Sequence, residues 1–186
     1  EMYSMEELIQ EFSLERVTKS GAKFDYEKGK WFTHQYLKAK TNDELSDLFQ
    51  PTLVEKGIIE DSEKVARIIG LTKERVNFIS ELWDQCSFFF IAPTIYDEKT
   101  VQKRWKADSA HHMSMLIEVL ESIEDFSTEN TEKIVLKWIE DNQLGMGAVM
   151  NAFRLAIVGI SKGPHMFDIT EFIGKEETLR RLEVAI

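Results

Sequence analysis

Apolar residues recur at intervals of three and four along nearly the whole chain, and nowhere do β-branched residues alternate over enough positions to make a strand. This pattern limits the chain to packed helices. Three prolines and nine glycines among 186 residues leave few interruptions. Start signals are frequent. Asp25 can cap a helix from Tyr26 to about Lys38, and Thr41 with Glu44 forms a capping box for a helix that Pro51 should break or kink. Asp61 opens a short helix with Gly70 as its stop, and Thr72 caps a longer one carrying Val76, Ile79, Leu82, Trp83 and Cys86. Further helices are predicted from Asp97 to Trp105, from Asp108 through Glu121, and after Asn130 or Thr131. An apolar helix over Ala148–Val158 follows Gly145 and Gly147 and ends at Gly159. The turn Gly163-Pro164 then introduces two closing helices, about Met166–Ile173 and Lys175–Ala185.

An all-α fold follows, made of two consecutive helical bundles with the break Ala92-Pro93-Thr94 between them. No fixed-period repeat points to a solenoid. The longest apolar run, Phe88-Phe89-Phe90-Ile91-Ala92, is far below the roughly 20 residues of a membrane span. The helix at Met5–Phe12 carries Glu6, Glu7 and Glu11, the wrong charge for a membrane surface. The opening Glu-Met-Tyr-Ser-Met lacks an apolar signal region, so the chain is expected to begin inside a longer protein. One cysteine cannot make an internal disulfide, and a reducing cytoplasm is the default reading.

Catalytic constellations are scarce. His111 and His112 project about 100° apart on a helix and cannot share a metal. Cys86 lies on an apolar stripe and reads as core. Lys19-Ser20-Gly21 and Gly174-Lys175-Glu176 lack the lead of a phosphate loop. The acid pairs Glu6-Glu7, Asp97-Glu98 and Glu176-Glu177 fit the positive ends of helix dipoles better than acid–base chemistry. Trp31, Phe32 and Tyr36 form a stripe best read as core. No catalytic residue and no metal ligand is assigned.

A binding surface is the one constellation left. Arg154 interrupts an apolar helix and should sit at its edge with a partner, an acid being the plain structural choice. Downstream, Gly159–Phe167 combines a flexible turn with Lys162, Ser161, His165 and an aromatic. Met166 and Phe167 offer apolar faces on which unpaired bases could stack. The net charge of −10 argues against RNA, but residues 1–30 carry seven acids and five bases and residues 150–186 five of each, so most of the excess lies between.

Two segments resemble one family. Phe12–Leu37, FSLERVTKSGAKFDYEKGKWFTHQYL, with a polar turn at Thr18-Lys19-Ser20-Gly21-Ala22, resembles the SLxRVxKSGAxFDxxKxxWxNxxYL signature that follows the active-site loop of bacterial glutamyl-tRNA synthetases. The far end, Gly159 to Leu182, resembles that family's C-terminal anticodon-reading helices, whose matching segment LRxALTGxxxGPxLFE contacts unstacked anticodon bases. The resemblance implies residues 1–30 as the tail of a stem-contact region, 31–95 as a first anticodon-binding bundle and 96–186 as a second. It carries tRNA contact onto Asn151, Arg154, Gly163, Pro164, His165, Met166 and Phe167, with Met166 replacing the usual Leu and Val158 a common Thr. The expected partner is the anticodon stem-loop of tRNA for glutamate. The parent enzyme would ligate glutamate to tRNA with ATP and Mg2+, through a nucleotide-binding domain not found here, so the chain alone needs no cofactor. A monomer is expected. The alternative from another class is an acidic, all-helical protein-interaction scaffold without RNA contact.

Overall fold

The computed structural model describes residues 2–17, 19, 21 and 23–186. The polar turn read at Thr18–Ala22 falls partly on Thr18, Ser20 and Ala22, which lie outside them. Among the described residues there is no strand, and four short 3-10 turns, all before the sixth helix, accompany eleven α-helices.

Helix α1 (Met5–Glu11) starts on a reciprocal capping box in which the Ser4 hydroxyl and the Glu7 carboxylate each accept the other residue's backbone N–H. Its amphipathic pattern is real but unmatched, because none of its residues is buried and Met5, Ile9 and Phe12 stay exposed. Helix α2 (Tyr26–Ala39) begins where the Asp25 carboxylate accepts the Lys28 N–H. It touches the rest of the protein along a narrow stripe, with Leu37 as its one buried residue and His34 Nδ1 2.7 Å from the Val76 carbonyl oxygen. Trp31 and Tyr36 are 44% and 51% exposed, so the reading of that stripe as core is corrected.

Helices α3 (Asn42–Glu55) and α4 (Ser62–Thr72) form the main pair of the first half. The Thr41–Glu44 capping box starts α3, and Asp61 starts α4 by accepting the Glu63 and Lys64 N–H groups. Leu45, Phe49 and Leu53 are completely buried along α3, each worth about 1.5–3 kcal/mol of transfer free energy. Pro51 does not break the helix, which runs on to Glu55. The carbonyl that loses its donor belongs to Asp47, an exposed residue that water can serve, while Leu53 anchors the turn beyond. Gly70 is likewise no stop, since α4 continues to Thr72. A Cβ at Gly70 would lie 2.8 Å from the Asn42 side-chain nitrogen, so glycine serves the close approach of α3 and α4.

The single long helix expected after Thr72 is replaced by 3-10 turns at Lys73–Arg75, Ile79–Glu81 and Ser87–Phe89 around the five-residue α5 (Leu82–Cys86). Thr72 caps nothing there. Its hydroxyl donates to the Ile68 carbonyl within α4. Val76 and Phe78 are extended, and the Glu81 carboxylate accepts the Asn77 and Phe78 N–H groups. Breaking the run lets Val76, Leu82, Cys86, Phe88 and Phe89 all point inward, which one straight helix with a single apolar face could not do. Burial pushes the Cys86 thiol up to about 12, with the Asp84 charge adding to it, so this cysteine behaves as a small apolar side chain.

The second half comprises α6 (Glu98–Arg104), capped by Asp97, with α7 (Ser109–Glu121), α8 (Thr128–Asp141), α9 (Met146–Val158), α10 (Met166–Ile173) and α11 (Lys175–Ala185). Helix α8 starts before Asn130 and Thr131, and Gly147 lies inside α9. His112 is buried and His111 exposed on α7. Helix α9 is the central element of this half: Val149, Ala152, Phe153, Ala156 and Ile157 are fully buried. One contiguous apolar cluster runs from Leu37 through both halves to Leu182.

Arg181 ties the halves together. It is 3% exposed and donates to the Phe88 and Ile157 carbonyls at 2.7 and 3.0 Å, while its Nε meets Glu177 at 2.7 Å. Hydrogen bonds from Arg180 and then Arg181 hold the Glu177 carboxyl down to about 2, from an ordinary 4.5. A folded value below the unfolded one stabilises the fold above pH ~4.5 and is lost as the pH falls toward 2. Melting should therefore separate wild type from Glu177→Gln clearly at pH 6, with the gap narrowing below pH ~4.5 and closing toward pH 2; a constant gap would contradict this pairing.

Candidate nucleic-acid interface

The end of α9, the turn 159–165 and the start of α10 make one surface. Gly159 ends α9 with φ +79, a left-handed value. A Cβ there would lie 2.8 Å from Pro93 Cβ and 3.0 Å from the Ile95 carbonyl oxygen, and the Gly159 carbonyl accepts the Asp97 N–H at 3.2 Å. The mid-chain connection thus packs directly on the turn. Gly159→Ala should destabilise the fold by at least about 1–2 kcal/mol from the left-handed backbone alone, read as a lower melting temperature; an unchanged one would refute the packing.

Arg154, half-buried on α9, reaches into this turn. Its Nη2 donates to the Pro164 carbonyl at 2.9 Å. Its Nη1 is buried without an acceptor, against Gly163, where a Cβ would lie 3.1 Å away. Gly163 has φ +149. The expected acid partner is absent: among the described residues no carboxylate pairs with Arg154, and a backbone carbonyl takes that place. Burial, then the nearby Arg75 charge, disfavours its charged form and lowers its pKa. Arg75 is exposed and comes from the 3-10 turn after α4. The charge of Arg75, from the opposite half of the chain, is thus felt at Arg154. Sequence spacing, with 78 intervening residues, gave no signal for Arg75.

Asn151, one turn before Arg154, is half-buried and donates its amide to the Gly147 carbonyl. Ser161 and Lys162 are exposed, and Pro164 is buried. His165 stands at the N-cap of α10 and is exposed, with Nε2 3.2 Å from Glu132 and Nδ1 3.8 Å from Asp168. Met166 and Phe167 turn inward, 2% and 1% exposed. Phe167 packs edge-on to Phe153 with centroids 6.3 Å apart. Neither side chain presents a face for a base to stack on in this arrangement. They support the turn from behind. Among the described residues no three His, Cys, Asp or Glu side chains gather as a metal-binding group.

A family profile described as an anticodon binding domain matches residues 44–186, well over half of the chain. The chain belongs to the anticodon-binding domain family. All 186 residues align with glutamate–tRNA ligases, at 55% identity to that of Phocaeicola vulgatus and 56% to that of Bacteroides thetaiotaomicron. The anticodon-binding chain spans only 37% of those two relatives. A solved glutamate tRNA ligase from Elizabethkingia meningosepticum superposes with a TM-score of 0.91 at 42% identity, covering 98% of this chain and 36% of that one. The all-α fold of two successive helical bundles and the glutamyl-tRNA synthetase resemblance both stand on these matches. The scaffold alternative loses its support.

Proposed function

We infer that this chain is the anticodon-recognition part of a longer glutamate–tRNA ligase, whose full length joins glutamate to tRNA in the cytoplasm. The observation that carries the reading to a place is Arg154, whose guanidinium reaches into a turn that the family match includes, with the charge of Arg75 felt there from the first half. Arg154 meets a base or backbone oxygen of the anticodon loop, Arg75 and Lys162 face its phosphates, and Ser161 and His165 line the exposed rim. Gly163 and Pro164 set the path of the turn, Asn151 steadies α9 behind it, and Met166 and Phe167 fix its floor. Discrimination arises because a wrong base leaves a polar group unpaired at the contact.

The ATP and Mg2+ of the parent reaction, and the chemistry itself, are assigned to the remainder of the ligase. Residues 1–30 form the edge of the stem-contact region, 31–95 and 96–186 the two anticodon-binding bundles, and the protein works as a monomer.

The test is equilibrium binding of this chain to two RNA hairpins that differ only in the anticodon. The glutamate-type stem-loop should bind more tightly, with a shallow salt dependence reflecting a few phosphate contacts. Equal affinities would sink the reading, and a slope equivalent to about six or more phosphates would relocate the surface.

A further inference from the structure

A row of polar contacts runs from the first half of the chain to the anticodon turn. Arg67, on α4, lies with its guanidinium 4.7 Å from the centroid of the Phe172 ring on α10 and 3.9 Å from the Glu171 carboxylate. Glu171 also accepts the Thr128 N–H at 2.6 Å. A carboxylate from α10 thus serves the unpaired N–H at the start of α8, where Ser127 supplies no side-chain cap. The Thr128 hydroxyl donates to Asp168 at 3.2 Å, and Asp168 lies 3.8 Å from His165 Nδ1. Arg67, Leu71, Thr128, Asp168, Glu171 and Phe172 line a cleft of about 400 Å³ between the two halves. Phe172 closes its inner side, packing edge-on to Phe89 at 5.5 Å.

We propose that Arg67 is a positioning residue for anticodon discrimination, acting through Glu171, Thr128 and Asp168 to fix His165 and the first turn of α10. This rests on the anticodon-recognition reading above. Arg67 touches no part of the turn itself. It constrains α10 from the first half by two contacts, one to a ring and one to a carboxylate. Glu171 passes that constraint to the start of α8, and Thr128 returns it to Asp168, one turn before Glu171 on α10. His165, at the far end, is also held by Glu132 of α8 at 3.2 Å. The turn that carries Gly163 and Pro164 is thereby clamped on its C-terminal side, while Arg154 holds it from α9.

A mainly stabilising role makes a different forecast. Arg67 is exposed, and an exposed ion pair adds little to folding, so Arg67→Ala should shift melting by no more than about 2–4 °C. Its effect should appear in position instead. In the free protein, Arg67→Ala should speed hydrogen exchange about 3- to 10-fold at the Thr128 amide, which donates to Glu171, and at the Ile169 amide, which donates to the His165 carbonyl. The preference for the glutamate-type stem-loop over an unrelated anticodon should fall by a similar factor. Arg67→Lys, which keeps the charge, should recover part of both.

Unchanged exchange at both amides would overturn the proposal, as would faster exchange with an undiminished preference. A wild-type protein that shows no preference at all would remove the functional reading. It would remove with it Arg67's part in discrimination, and exchange would then judge the clamp alone.

Discussion

Arg181→Ala is expected to cost about 3–5 kcal/mol of folding stability, the usual consequence of removing one member of a buried charged pair. The guanidinium is almost fully enclosed and serves three groups: the Phe88 carbonyl, the Ile157 carbonyl and the Glu177 carboxylate. Its loss strands both carbonyls and leaves a cavity between α11, α9 and the turn after α5. Burial disfavours the charge and Glu177 offsets that penalty, so the charge and its partner must be retained together. Denaturant unfolding measures the cost directly. A loss below about 1 kcal/mol would mean that these three contacts contribute no more than an exposed pair.

Phe167→Ala should be nearly as severe, about 3–5 kcal/mol, because the ring is 1% exposed and packs against Phe153. The same substitution should change the ratio of affinities for the two stem-loops only through the loosened turn, so any change in that ratio should accompany the loss of stability. A base-stacking aromatic would behave in the opposite way, losing about 1–3 kcal/mol of binding with little change in melting. Melting and binding on one variant therefore separate packing from contact.

The elements that were legible in the sequence are those whose signals lie within a few residues. Asp25, Thr41 with Glu44, Asp61 and Asp97 each bond backbone N–H groups two or three positions on, and Gly163-Pro164 and Gly174 bracket α10 as read. What failed depends on distant partners. The start of α8 is served by Glu171, 43 residues away, a cap no local pattern reveals. Gly70 looks like a stop until Asn42 is placed against it. Residues 73–89 keep helical spacing of their apolar side chains, yet several neighbouring walls draw those side chains inward and the backbone breaks to follow.

At the site, the motif marks the turn and Arg154 along the chain, but not what surrounds them. Arg154's partner is a carbonyl, Arg75 comes from the other half, and Met166 and Phe167 face the core. Burial depends on which helices pack behind the turn, and residue type alone does not specify that.

The most direct measurement of the central claim is the affinity of Arg154→Ala for the glutamate-type stem-loop and for one with an unrelated anticodon. Arg154 makes one hydrogen bond among the described residues, so its removal should leave the fold largely intact while costing about 1–3 kcal/mol of binding to the glutamate-type stem-loop. Binding to the unrelated stem-loop should change much less, so the preference collapses. A variant that binds both hairpins in the original ratio would contradict the account and place anticodon reading elsewhere on the chain.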